Sequence, residues 1–224
     1  MCYVIITGGG LVWFILSLIA DMFIASAIVT PRWLVGPPAE VKQLLANSTV
    51  SAQRFPSVGI YTRCKTMERA GYHCGPFDLD GFATDGAVYP PQWKAAMFFI
   101  SLGFAILSTT VLLTLITCCR QSVLGKSIHN ITGCAQVISG ICVMISVFLH
   151  PLGWGAERVL DLCGPDAEAF YPAMCSIGWS FYCAILGLIL SFFCAGISLK
   201  AESANMRSRV KRRIEHGERL VCVP

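Results

Sequence analysis

The sequence predicts an all-α membrane bundle of four transmembrane helices, with residues 1–224 forming one four-span domain. Three observations carry this prediction. Mean hydropathy is +0.64, and only 13% of the residues are charged, against roughly 25% in soluble domains, so much of the surface must face lipid. Four stretches, about 11–29, 95–117, 131–149 and 176–199, reach the length of apolar sequence that crosses a bilayer. Inside them the only charged residue is Asp21. Hydrocarbon offers the backbone no partner, so each stretch must close its own hydrogen bonds as a helix.

The first span, Leu11–Val29, is expected to be retained rather than cleaved, because residues 1–20 hold no Lys or Arg to serve as the basic flank of a signal sequence. Its Asp21 stands at mid-membrane, where a charged side chain costs about 2.5–3.5 kcal/mol. Two readings follow: a neutral, hydrogen-bonded acid inside the bundle, or a contact with a partner's transmembrane helix. No oppositely charged residue lies in another of these spans, which weighs against a proton relay.

The long polar loop 31–94 comes next. Within it Val58, Ile60 and Thr62 alternate with Gly59, Tyr61 and Arg63, the pattern of a half-buried strand. The second span ends at Cys118-Cys119, a juxtamembrane pair and thus a candidate for S-palmitoylation; Cys2 and Cys222 lie at the same membrane face. The third span ends at His150-Pro151, read as a boundary. The fourth carries Gly187, Ser191 and Ala195 at four-residue spacing. Such a stripe allows close helix approach, read first as packing within the bundle and second as a homo-oligomer contact. Trp33, Trp93, Trp154 and Trp179 near one set of span ends, with Trp13 toward the other, predict a belt of interfacial anchors.

Four spans place both termini and the short loop around Arg120–Ser127 on one side, and the loops 31–94 and 151–175 on the other. Arg120, Lys126 and the basic tail (Arg207, Arg209, Lys211, Arg212, Arg213, Arg219) mark the first side as cytoplasmic. That tail, within 200–224, supplies most of the formal charge of +4. It is too short and too close to the membrane for a nucleic-acid binder and reads as a topogenic or inner-leaflet segment. The opposite side holds Cys64 and Cys74 in one loop and Cys163 and Cys175 in the other, an even count that suits an oxidising compartment. Four cysteines allow three connectivities; the local one, Cys64–Cys74 with Cys163–Cys175, is adopted. Asn47-Ser48-Thr49 is a glycosylation sequon on the same side. The location expected is therefore the plasma membrane, multi-pass, with both termini cytoplasmic.

A Trp, a Gly-apolar-aromatic-x-x-Cys and a second Cys in a long first loop are more specific than four apolar spans. Trp33, Gly59-Ile60-Tyr61-x-x-Cys64 and Cys74 resemble the mark of the claudin-like four-span superfamily, with Tyr61 where that pattern has a second Trp. Within it the chain resembles the LHFP-like (lipoma HMGIC fusion partner-like) tetraspan family over essentially its full length, and most of all the second vertebrate member. Met1-Cys2-Tyr3-Val4-Ile5, Trp33-Leu34-Val35-Gly36, Cys74-Gly75-Pro76, Lys126-Ser127-Ile128, Pro151-Leu152-Gly153-Trp154-Gly155, Cys175-Ser176-Ile177-Gly178-Trp179 and Gly217-x-x-Leu220-Val221-Cys222 carry that resemblance. It implies a small extracellular antiparallel β-sheet, built from both loops, above the helices. Trp33, Tyr61 and the disulfide would be its scaffold, and the tips around Pro37–Arg54 and Lys65–Tyr72 would carry recognition.

The spans hold no paired carboxylates, no His-Glu-x-x-His and no Ser/His or Cys/His set at a shared depth, so no enzyme is expected and no cofactor or metal site. With Asp21 as the one charged residue inside these spans, a self-contained channel lacks its parts. What the resemblance implies is an auxiliary or chaperone-like subunit that assembles, traffics or places a channel, receptor or adhesion complex, in some relatives with a developmental role. The alternative is a claudin-like adhesion or barrier protein acting through its outer loops. The chain ends Cys222-Val223-Pro224, a poor ligand for scaffolds that add a C-terminal strand, which disfavours the alternative.

Overall fold

The computed structural model describes residues 4–45, 48–67, 71–77, 89–116, 122–123, 126–205 and 220–223. In chain order the elements are β1 (Val4–Thr7), α1 (Gly8–Val29), β2 (Leu34–Val35), β3 (Ala39–Leu45), β4 (Ser48–Arg54), β5 (Ser57–Val58), β6 (Thr62–Met67) and β7 (Gly71–Pro76). After these come α2 (Pro91–Ile116), β8 (Ser122–Val123), β9 (Lys126–Ser127), α3 (Ile128–Leu152), α4 (Glu157–Cys163), β10 (Ser176–Ile177), α5 (Trp179–Asn205) and β11 (Leu220–Val223). Among the described residues four helices are long and apolar enough to cross a membrane, over Gly8–Val29, Pro91–Leu115, Asn130–Leu152 and Trp179–Ser198. Four spans plus a small antiparallel sheet is the claudin-like architecture expected.

The element ends differ from the hydropathy estimate for local reasons. α1 starts at Gly8 rather than Leu11, because a helix entering lipid cannot leave glycine backbone unpaired. Pro91 opens α2, where its missing N–H is no loss and its fixed φ suits a first turn. Ser176–Ile177, read as the start of the fourth span, is instead strand β10, paired antiparallel with β2; the helix begins at Trp179.

Packing divides the chain into two compact units: Met1–Phe23 with Leu102–Val143 and Leu186–Pro224, and Ile24–Ser101 with Met144–Ile185. Each long helix contributes a segment to both. In the second unit lies a five-stranded sheet of order β10-β2-β5-β6-β7, its described pairings all antiparallel. The segment between α1 and α2 and the segment between α4 and α5 thus build one sheet. Among the described residues β3 and β4 pair with each other, from Ala39↔Arg54 to Leu45↔Ser48, as a two-stranded hairpin whose β3 packs beside β7. In the first unit β1 and β11 pair in parallel, setting Ile6 opposite Cys222. There Trp13 and Cys194 are buried, with Phe14, Leu16 and Ile197 packed around them.

Most of the small-residue stripe of α5 faces inward: Gly187 and Ser191 are buried with Ala184, Cys194 and Ser198, Ala195 is half-buried, and Ser191 donates back to the Gly187 carbonyl. This is the packing use of the stripe.

Candidate interaction sites: the sheet scaffold and the intramembrane carboxyl

The expected motif residues meet at the root of the sheet. Trp33 is fully buried. Its Nε1 donates to the Ala27 carbonyl at 2.7 Å, a group in the last turn of α1 that has no partner within its own helix. Its ring lies 4.6 Å from His150 at the end of α3 and meets Phe181 of α5 edge-on at 5.4 Å. One side chain therefore seats β2 on three helices. Gly59 follows β5, its N–H bonded to the Thr62 carbonyl. A Cβ there would stand 2.7 Å from both Pro31 Cα and the Thr30 carbonyl, which are backbone and cannot yield.

Tyr61 explains its own departure from the family pattern. Its hydroxyl lies 2.8 Å from the Met97 carbonyl and 2.6 Å from Ser101 Oγ. One proton goes to the carbonyl, so the oxygen accepts from Ser101; an indole N–H is a donor only and would fill half of this role. Cys64 and Cys74 form a disulfide across a directly opposed pair of β6 and β7. Cys163 at the end of α4 is bonded to Cys175, just before β10. The two bridges hold the two edges of the same sheet.

Four of the five tryptophans are not lipid anchors. Trp13, Trp33, Trp93 and Trp154 are each at most 2% exposed, whereas Trp179 is 47% exposed. Nor is His150 a boundary residue: it is buried, stacked on Trp93 with ring centroids 5.3 Å apart and planes 3° from parallel. Trp93 Nε1 donates to the His150 carbonyl and Trp154 Nε1 to its Nδ1 at 3.2 Å, so Nε2 bears the proton of the neutral ring. Gly153 is needed beside them, since a Cβ would run into the Trp93 indole. The i, i+4 spacing of His150 and Trp154 was the available sequence signal for this cluster. Nearby, Arg158 of α4 lies over Phe77 at 4.9 Å and Tyr89 at 4.6 Å, a pair of cation–π contacts.

Hydropathy reading also missed a polar network inside the spans. Trp13 Nε1 donates to Gln136 Oε1 at 3.3 Å, and Gln136 Nε2 donates to Ser17 Oγ at 2.7 Å. Ser17 in turn donates to the Trp13 carbonyl. All three residues are buried, so α1 and α3 are joined by groups that find their partners away from lipid. Ser139 Oγ donates to the Gly103 carbonyl and joins α3 to α2; a Cβ on Gly103 would press on Ser139 and Val143.

Asp21 differs from these groups. It is half-buried, and Ser108 of α2 donates to its Oδ1 at 2.8 Å. Asn47, Cys2, Cys118, Cys119 and the tail arginines lie outside the described residues.

Comparison with known proteins agrees with this geometry. The family model of the lipoma HMGIC fusion partner-like proteins matches residues 9–200. The chain is 35% identical to the zebrafish (Danio rerio) LHFPL tetraspan subfamily member 2a protein over 229 aligned residues, and 33% identical to the human member 2 protein over 231. Both alignments cover 100% of each chain. The human member 4 protein is 25% identical over 184 residues, 79% of this chain and 65% of that one. The tetraspan topology, the sheet stapled at both edges and full-length similarity together make this chain a member of the lipoma HMGIC fusion partner-like tetraspan family.

Proposed function

We propose that the protein is a non-enzymatic auxiliary subunit of the plasma membrane, one that assembles, traffics or places another integral membrane protein. Asp21 carries this reading. The buried polar side chains Trp13, Ser17, Gln136 and Ser139 are spent on locking helices together, whereas the Asp21 carboxyl has one partner and a half-exposed position on a lipid-facing helix. A carboxyl at that depth costs about 2.5–3.5 kcal/mol, a cost offset when a second membrane protein covers it. The hairpin β3–β4, packed beside β7 but outside the five-stranded sheet, gives the same partner a contact outside the membrane.

The sidedness that goes with this function has the sheet outside and the termini inside. It is supported by the two disulfides, by the basic residues of the tail and by the pairing of β1 with β11, which brings the two ends of the chain together. In this topology Asn47 is glycosylated. Expressed in a mammalian cell, the full chain is expected to lose about 2–3 kDa of apparent mass on treatment with an N-glycosidase. The Asn47→Gln variant should run at the deglycosylated position with or without enzyme. A wild-type chain that reaches the cell surface unglycosylated would count against the placement of Asn47.

Affinity purification from native membranes in mild detergent, with proximity labelling in mixed cultures, tests the function. Labelled membrane proteins should come from the cell that expresses the tagged chain. Labelling mainly on neighbouring cells would favour the adhesion alternative, and a homogeneous chain with no co-purifying membrane protein would sink the auxiliary-subunit reading.

A further inference from the structure

We infer that the lipid-facing stripe of α1 beside Asp21 is a docking face for a partner's transmembrane helix carrying a Lys or Arg at the same depth. This inference rests on the auxiliary-subunit reading and names the chemistry of its partner.

The stripe is Leu11, Ile15, Leu18, Met22, Ala25 and Val29, at spacings of four and three residues in alternation. Leu11, Ile15, Leu18, Met22 and Val29 are 41–69% exposed. This spacing is the seam that lets a second helix pack by knobs into holes. Asp21 precedes Met22 and flanks the seam, the place where a charged side chain reaches across to a neighbouring helix. On its other side Ser17, Ala20 and Ile24 are buried. The carboxyl therefore stands on the rim, its Oδ1 tied to Ser108. Among the described residues no other group bonds to it, and its second oxygen is left for a ligand approaching along the seam.

Charge complementarity selects the occupant. Asp21 lies thirteen residues from Gly8 and eight from Val29, roughly 20 Å and 12 Å along the helix, too deep for headgroups or water to solvate it. The four spans contain one basic residue of the Lys/Arg type, Lys94. It stands fourteen residues from Ser108 on α2, about 21 Å away along that helix. A second copy of this chain therefore has no cation to offer at that depth. A different protein with a basic residue in mid-span satisfies both its own buried charge and this one.

The test uses the full chain in phosphatidylcholine vesicles with two single-span Leu/Ala peptides, one with Lys at its midpoint and one with Leu there. Association is read by energy transfer between labelled chain and labelled peptide. Wild type is expected to bind the Lys peptide about tenfold more tightly than the Leu peptide, in the range of intramembrane polar pairs. Asp21→Asn, which keeps the acceptor for Ser108 and so preserves the fold, should abolish that preference. Asp21→Lys should transfer it to a peptide with a central Asp. Equal binding of the two peptides to wild type overturns the inference, as does energy transfer between two differently labelled copies of the chain that Asp21→Asn removes, which would assign the face to a homodimer. In native membranes, partners recovered equally by wild type and Asp21→Asn would sink this docking face and leave the auxiliary role standing. Recovery of no partner by either chain would remove both.

Discussion

Trp33→Ala is expected to destabilise the protein by about 3–5 kcal/mol, the cost of deleting a buried Trp, and to prevent its export. The side chain is fully buried, contacts His150 and Phe181, and supplies the donor for the Ala27 carbonyl. Trp33→Phe keeps part of the ring contact and loses the donor, so a loss nearer 1–2 kcal/mol follows from one unmade hydrogen bond. Trp179→Ala is the control, because that indole is 47% exposed and its removal should change stability by under about 1 kcal/mol. Thermal unfolding in detergent, with surface biotinylation of the same variants, measures all three. Equal melting temperatures for Trp33→Ala and Trp179→Ala would refute the view that Trp33 is core while Trp179 faces out.

Loss of either disulfide is the second large effect. Opening Cys64–Cys74 with paired Ser substitutions should cost about 2–4 kcal/mol, since the bridge closes a short loop and restricts the unfolded chain. Cys163–Cys175 should cost a similar amount, because it closes a loop of nearly equal length, 12 residues of separation against 10. The bridges sit toward opposite edges of the order β10-β2-β5-β6-β7, so their effects are expected to add within about 0.5 kcal/mol. Unfolding of the two pair variants and of the quadruple variant, with and without reductant, checks this. A wild-type transition unmoved by reductant that opens both bridges would show that the staples do not bear on stability.

The comparison of sequence with structure is most instructive at the tryptophans and at α5. Trp33, Gly59, Tyr61 and the four loop cysteines were identifiable because each is a residue type with few substitutes: an indole donor, a backbone with no room for Cβ, a thiol in an oxidised pair. Their meeting point was less accessible, since His150, Phe181 and Ala27 come from three different helices and sequence distance says nothing of it. Ser176-Ile177 continues an apolar run and by itself predicts helix; its pairing as β10 with Leu34-Val35 depends on a strand more than 140 residues away. The Trp13–Gln136–Ser17 network was invisible for the same reason, its members lying up to 123 residues apart.

Hydropathy alone settles that this chain has four spans, and residue chemistry settles the family and the disulfide-bearing loops. Tertiary structure decides which side of each helix is core. Lipid tails are as apolar as a Leu side chain, so inside a bilayer the hydrophobic effect does not separate buried from lipid-facing positions. Leu11 and Ile24 are equally at home in a hydropathy plot, yet one is 50% exposed and the other fully buried. The same holds for Trp33 and Trp179, and for a Ser17 consumed by Gln136 against an Asp21 left on the rim beside Ser108. Packing and hydrogen bonding between distant segments make that choice, and they are properties of pairs that no residue carries by itself.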